Sequence, residues 1–317
     1  MAEPRDIDGV LVKWGDRLFY PGNRRVKPSS EPRLAGFGGS RAAAIRARIE
    51  ATVVRRAPQV MVKVTGGGRG MKAIAAHFRY ISKNGRLPIE DERGQLSEGR
   101  DAVREMIDDW RLGGALIPDV SDRREAFNVM LSMPRGVDAL TVQRAAREFA
   151  SAELADHTYV MVLHDHHTNP HVHLSVRAES MHGRRLNPRK ADLHRWRETF
   201  AEKLRGWGID AEATRQATRG VDRNHPILWR TKAAEEGRER HPRPGRKEGR
   251  KVMASRREAV IAWANIVAAL KGSDSPADRL TAAAIKTWLS ERNVVQELRS
   301  KGVERAREPD KDIGPRR

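Results

Sequence analysis

Two runs with strand patterns, the largely apolar Thr158 to Leu163 and the alternating His171 to Arg177, are separated only by the polar loop Asp165 to Pro170. A period of two marks a strand with one buried face, and two strands joined by a short polar loop make a β-hairpin. The hairpin also fixes the phase of its side chains. Val172, Leu174 and Val176 enter a core, so His171 and His173 share the opposite face. His164 ends the first run in phase with Val160 and Val162, and the hairpin brings it opposite that pair.

Other elements gather around this hairpin. Gln59 to Val64 has a strand pattern, and the glycine turn Thr65 to Gly70 leads into a helical pattern over Met71 to Ile81. Phe127 to Met133 reads as another strand, stopped by Pro134-Arg135-Gly136. Asp138 then caps a helix through about Leu154 with apolar Leu140, Ala145, Phe149 and Ala152. A further helix from Lys190 to Trp207 packs through Leu193, Trp196, Phe200 and Leu204 and ends at Gly208. Strands and helices mixed in this order predict an α+β fold, an antiparallel sheet with packed helices, plus a basic C-terminal helical extension.

The length of 317 residues suits one good core with an appendage. The expected division is a basic N-terminal arm over 1–57, a catalytic domain over 58–229, a basic linker over 230–254 and a helical region over 255–317. The arm is poorly patterned and glycine-dense near Gly36, Gly38 and Gly39. The linker is marked by nine basic and two acidic residues between Arg238 and Arg257, interleaved with Pro242, Pro244, Gly245 and Gly249. Beyond it, Arg256 to Lys271 and Pro276 to Arg299 read as a helical hairpin, the second helix with Ser275 as N-cap.

Charge and composition narrow the chemistry. Lys and Arg number 61 against 42 acids, a net charge of +19, which favours a polyanionic partner such as nucleic acid over a neutral one. With no cysteine, disulfides, Cys-rich zinc sites and thiol nucleophiles are excluded. Met1 to Lys13 lacks the apolar run of a signal peptide and no stretch has the ~20 apolar residues of a membrane span, so a cytoplasmic location is expected.

Five of the eleven histidines fall between His164 and His173. Three imidazoles on one face, from His164, His171 and His173, make a three-nitrogen site that leaves a metal its full charge and open positions, as catalysis requires. A covalent phosphoryl-transfer enzyme without Cys would draw on one of three tyrosines, Tyr20, Tyr80 or Tyr159. Tyr159 points away from His164 by strand phase, and Tyr20 lies in the arm. Read from the residues alone, Tyr80 in Ala-His-Phe-Arg-Tyr-Ile-Ser-Lys-Asn-Gly is either a nucleophile or an ordinary residue of an amphipathic helix. Arg79, Lys83 and Arg86 are placed to hold phosphate. His77, three residues before Tyr80, is either a proton acceptor or a solvent-facing side chain.

The stretch His164, Asn169, Pro170, His171 and His173 resembles the third motif of HUH-type conjugative relaxases, also called mobilisation nucleases, of the MOB-P class that includes agrobacterial border endonucleases. In that family the motif is commonly His-x-Asp-x-x-Asn-x-His-x-His. Here His166 stands where the Asp is expected and Asp165 lies one place earlier. The resemblance implies metal ligands His164, His171 and His173, a divalent ion expected to be Mg2+ or Mn2+, and a second shell from Asp165 and Asn169. Tyr80 resembles the nucleophile of motif I, and Ser132 the motif II serine that holds DNA on the 3′ side of the nick, with Arg135 a further phosphate contact. The likeness spans about residues 59–220.

What the resemblance implies is a strand-specific nuclease that nicks single-stranded DNA at a transfer origin and forms a 5′-phosphotyrosyl link, in conjugation or plasmid mobilisation. It further implies relaxosome accessory proteins, a coupling ATPase and a type IV secretion system in a bacterial host, with export alongside the transferred DNA. Arg305, Arg307, Arg316 and Arg317 resemble the basic export signals of such proteins, or form a solvated tail. Alternatives are a rolling-circle replication initiator or HUH transposase, a noncatalytic basic DNA-binding relaxosome accessory protein, and a metal-dependent hydrolase using activated water. Tyr80 preceding the histidines matches relaxases, whereas many replication initiators have the tyrosine after them.

Overall fold

A computed structural model describes residues 6–20, 38–166, 168–220, 236–237 and 250–292. The chain divides into two compact units, one of residues 57–213 and one of residues 1–56 with 214–317. Residues 230–235 and 238–249 of the expected linker lie outside the described residues, as do His167, the Arg-rich C-terminus and the stretch of the expected last helix beyond 292, whereas 250–254, also expected as linker, begin a helix.

Residues 57–213 form an α+β unit around a six-stranded antiparallel sheet. Its strands are β1 (Met61–Gly66), β2 (Ile89–Asp91), β3 (Leu96–Ser97), β4 (Ala126–Ser132), β5 (Tyr159–His164) and β6 (His171–Arg177), in the spatial order β1-β4-β6-β5-β2-β3. The hairpin of the sequence reading is β5 and β6, and it occupies the middle of the sheet. One face is covered by the helices Ala139–Glu153 and Lys190–Gly206, whose Phe149, Trp196, Phe200 and Leu204 pack on Val172, Leu174 and Val176. The other face carries Met71–Ile81 and Arg100–Leu112, whose Ile74, Phe78, Ile107 and Trp110 pack on Val160 and Val162. Helices thus lie on both faces of the sheet, and the alternation of β5 sends its side chains to two separate cores.

Local chemistry starts and stops these elements. Asp138 caps its helix by accepting a hydrogen bond from the Thr141 amide at 2.7 Å. Gly70 sits at φ 95° where the chain turns into the helix Met71–Ile81, and a Cβ there would fall 2.4 Å from the Asp119 carbonyl oxygen. The helix Arg100–Leu112 and the short strands β2 and β3 have no counterpart in the sequence reading.

The second unit is helical. Its helices are Ile7–Phe19, Gly38–Ile49, Arg250–Lys271 and Pro276–Ser290, with a π-helical turn over Glu50–Val54. Numbered along the chain, the eight α-helices among the described residues are α1 (Ile7–Phe19), α2 (Gly38–Ile49), α3 (Met71–Ile81), α4 (Arg100–Leu112), α5 (Ala139–Glu153), α6 (Lys190–Gly206), α7 (Arg250–Lys271) and α8 (Pro276–Ser290).

The reading of 1–57 as an arm is therefore corrected. Leu11, Leu18 and Phe19 of α1 and Ile45 and Ile49 of α2 share a core with Trp263, Ile266 and Leu270 of α7 and Ile285 and Trp288 of α8. Arg46 clamps the unit by donating to Asp8 at 2.7 Å and Asp278 at 3.1 Å. The segment is short of internal pattern because its apolar partners lie more than 200 residues away in sequence. Ser275 occupies the N-cap position of α8 but makes no side-chain capping bond, and Pro276 supplies the first-turn geometry. Among the described residues no helix is long and apolar enough to cross a membrane.

Candidate metal and nucleophile site

The register of the sheet builds the site. Ser132 of β4 pairs with His171 of β6, and His171 pairs with His164 of β5, so three side chains form one row across three strands. The next row holds Met130, His173 and Val162. Residues paired across antiparallel strands share a face. His164, His171 and His173 thus converge, with ring centroids 4.7 to 5.0 Å apart and ligand nitrogens all within 4.8 Å of one another.

Two hydrogen bonds to main-chain carbonyls set the imidazole tautomers. The Nε2–H of His164 donates to the Ile81 carbonyl at 2.7 Å, and the Nδ1–H of His171 donates to the Asn169 carbonyl at 2.9 Å. A carbonyl can only accept, so in the neutral rings the lone pairs lie on Nδ1 of His164 and Nε2 of His171. Orienting a ligand through its second nitrogen is the usual support of a metal-binding imidazole. This donor set fits a divalent ion. The Ile81 carbonyl is a backbone group, so no side-chain pattern in the sequence discloses it.

Asn169 is at the site, but through its backbone, and its side chain is exposed. Asp165 is exposed and makes no hydrogen bond or ion pair among the described residues. The exposed His166 has its ring 5.1 Å from that of His164. Ser132 is buried at the end of β4, with its hydroxyl donating weakly to the Met133 carbonyl at 3.4 Å.

Helix α3 brings its last turn over the histidines. Tyr80 is 69% exposed, yet its ring centroid is 6.4 Å from that of His173, edge to face at 78°. His77, one turn earlier, stacks on Tyr80 at 6.2 Å and meets His173 at 6.3 Å. Burial pushes the His77 imidazole down to about 4, so it is neutral at neutral pH. Tyr159 lies on the opposite sheet face in the core with Phe149 and Trp196, where burial raises its phenol, and Tyr20 belongs to the other compact unit. Tyr80 is the one tyrosine on the histidine face.

The end of α3 is held in an unusual backbone. Lys83, Asn84 and Gly85 follow one another at φ 51°, 59° and 84°, in the left-handed region that non-glycine residues seldom occupy. Ser82 secures this turn, its hydroxyl donating to the Phe78 carbonyl at 2.8 Å and accepting from the Gly85 amide at 3.1 Å. Arg79, Lys83, Arg86 and Arg135 are all exposed, and none pairs with an acid among the described residues. Such cations beside an exposed phenol and an imidazole cluster suit a phosphodiester.

Residues 80–209 match the family described as Relaxase: MobA/VirD2-like, nuclease domain. The matched stretch begins at Tyr80 and includes Ser132 and all three histidines. A comparison of the sequence with curated proteins finds no match.

Proposed function

From a chain that carries a relaxase nuclease domain over residues 80–209, we propose a site- and strand-specific relaxase of the MOB-P class, which nicks single-stranded DNA at a transfer origin and keeps the cut 5′ end on Tyr80. The observation that supports this reading best is the exposed Tyr80 ring beside His173, above the row of imidazoles. The setting is conjugative transfer or plasmid mobilisation from a bacterial cytoplasm, with relaxosome proteins, a coupling ATPase and a type IV secretion system as partners.

In the reaction the phenolic oxygen of Tyr80 attacks the scissile phosphorus in line with the 3′ oxygen. A Tyr–O–P bond forms as the phenol gives up its proton to solvent, the P–O3′ bond breaks, and the departing 3′ oxygen takes up a proton from solvent to become a hydroxyl. One phosphoester replaces another, so the step can run backward and reseal the strand. Held by His164, His171 and His173, a divalent ion, Mg2+ or Mn2+, would polarise a non-bridging oxygen and offset the charge of the transition state. Arg79, Lys83, Arg86 and Arg135 hold neighbouring phosphates, and Ser132 contacts the phosphate on the 3′ side of the nick. These cations also offset the negative charge carried by the attacking phenolic oxygen. The Ile81 and Asn169 carbonyls keep two imidazoles in the ligating tautomer. His77 stays neutral and supports the Tyr80 ring by stacking.

The test is an origin oligonucleotide labelled at its 3′ end. The label should migrate with the protein under denaturing conditions, while a 5′ label should leave on a free fragment ending in a hydroxyl. Release of both fragments free of protein would indicate hydrolysis by water, and no cleavage would indicate an accessory DNA-binding protein.

A further inference from the structure

The positive charge of the chain lies almost wholly outside the nuclease unit. Residues 57–213 hold 24 Lys and Arg against 22 Asp and Glu, whereas residues 1–56 with 214–317 hold 37 against 20. The unit with the imidazole cluster is nearly neutral, and the helical unit supplies the attraction for a polyanion.

One surface of α1 concentrates groups suited to that partner. Lys13 and Trp14 are adjacent, Arg17 follows one turn later and Tyr20 closes the helix. The Arg17 guanidinium sits 4.6 Å and the Lys13 ammonium 5.8 Å from the Trp14 ring centroid. Arg41 of α2 lies 3.9 Å over Tyr20 and is held there by Asp16, which accepts from it at 2.7 and 3.0 Å. Trp14 and Tyr20 are half-buried, while Lys13 and Arg17 are exposed and pair with no acid among the described residues. Two like charges four residues apart disfavour a helix. An anion bound between them would reverse that effect.

We propose that Lys13, Trp14, Arg17, Tyr20 and Arg41 form a second binding site for single-stranded DNA, separate from the nicking reaction. Lys13 and Arg17 take phosphates, and the rings with their stacked guanidinium groups take unpaired bases, which a duplex does not offer. Such a site tolerates any sequence, since every base has a π-face. It retains a strand by charge and stacking alone.

The test uses the full chain and an oligo-dT strand of about 20 nucleotides, which lacks a nicking site, so its outcome is independent of the Tyr80 chemistry. Affinity is measured by fluorescence anisotropy across a salt series. Lys13→Ala with Arg17→Ala should reduce the slope of log K against log salt by about 1.4, the value for two lost phosphate contacts, and weaken binding about tenfold or more at 0.1 M salt. Trp14→Ala should lose about fivefold or more, and Trp14→Phe, which keeps a ring and the packing, should recover most of it. Lys286→Ala, at an exposed cation on α8, should bind like the unaltered chain. Unchanged affinity and slope in the double variant would overturn the proposal. So would an equal loss in Lys286→Ala, or an equal loss of affinity for duplex DNA.

Discussion

His164 donates its Nε2–H to the carbonyl of Ile81 over 2.7 Å, joining the imidazole cluster on β5 to the residue next to Tyr80 on α3. The proposed ligand and the proposed nucleophile are therefore coupled by main-chain geometry. This hydrogen bond needs no metal, so it orients His164 in the metal-free protein as well.

The first prediction separates those roles. His164→Ala, His171→Ala and His173→Ala should each weaken Mn2+ binding at least tenfold and remove most cleavage, while His166→Ala and His167→Ala should keep most of both. In chelator, His164→Ala should also lower thermal stability, by about 1–3 kcal/mol for a buried carbonyl left without its donor. Titration calorimetry and thermal melts measure the two effects. Equal losses across all five variants would mean that the histidines act as a loop, with no selected ligand set.

Tyr80→Phe should abolish the covalent adduct and leave oligonucleotide binding within about twofold, because only one exposed oxygen is lost from an exposed ring. Adduct formation is read by denaturing electrophoresis and binding by anisotropy. An adduct retained in Tyr80→Phe and lost in Tyr20→Phe would move the nucleophile to the other unit.

The β5–β6 hairpin and the three-histidine face were legible in sequence because a two-residue period fixes side-chain direction without knowledge of neighbours. The tyrosine was harder. Helical position alone placed Tyr80 on an amphipathic helix, and only the packing of α3 on Val160 and Val162 brings it to His173. Helix α4 did leave a signal, Val103, Ile107 and Trp110 at helical spacing, but its many charges masked it. Strands β2 and β3, of three and two residues, are too short to show any period.

The tautomer bond at Asn169 carries its own test. The carbonyl, not the side chain, accepts from His171, so Asn169→Ala should keep metal affinity and cleavage within about threefold. Asp165→Ala should behave likewise, since its carboxylate touches no ligand among the described residues. A tenfold loss of Mn2+ affinity in either variant would show that the side chain supports the metal.

Acid should loosen the helical unit through Asp278. Burial opposes its ionisation, but hydrogen bonds from Arg46 and Ser273 outweigh that and hold the carboxyl below the usual range. A depressed folded pKa gives stability that is complete above the unfolded value of about 4 and is lost as pH falls through the folded value. Melting of the helical unit should therefore be insensitive to this group between pH 7 and 5 and fall below pH 4. Asp278→Asn should cost about 1–3 kcal/mol at pH 7 and make the acid limb shallower. An unchanged acid limb in Asp278→Asn would assign it to other carboxylates.

Truncation after Trp229 tests the organisation of the whole chain. The basic stretch Arg238 to Arg257 and the sequence after it carry no cluster of candidate catalytic residues, so their loss should lower affinity for DNA and spare the chemistry. The structure adds a consequence for the other terminus. Leu11, Leu18, Phe19, Ile45 and Ile49 share their core with Trp263, Ile266, Leu270, Ile285 and Trp288, all of which the truncation removes. The Trp263 indole also donates to the Thr218 carbonyl at 2.8 Å, and Thr218 in turn donates to the Leu18 carbonyl at 2.8 Å. With these partners gone, α1 and α2 should become sensitive to protease and expose an apolar surface, while residues 57–213 keep their own two cores and their nicking activity. Trp263→Ala in the full chain should reproduce the effect in part, costing about 3–5 kcal/mol in the helical unit. Limited proteolysis with mass spectrometry locates the cuts, and nicking of a short oligonucleotide reports on the catalytic unit. Protection of α1 and α2 in the truncated chain would mean that they are held without the C-terminal helices; loss of nicking would mean that the catalytic unit depends on them.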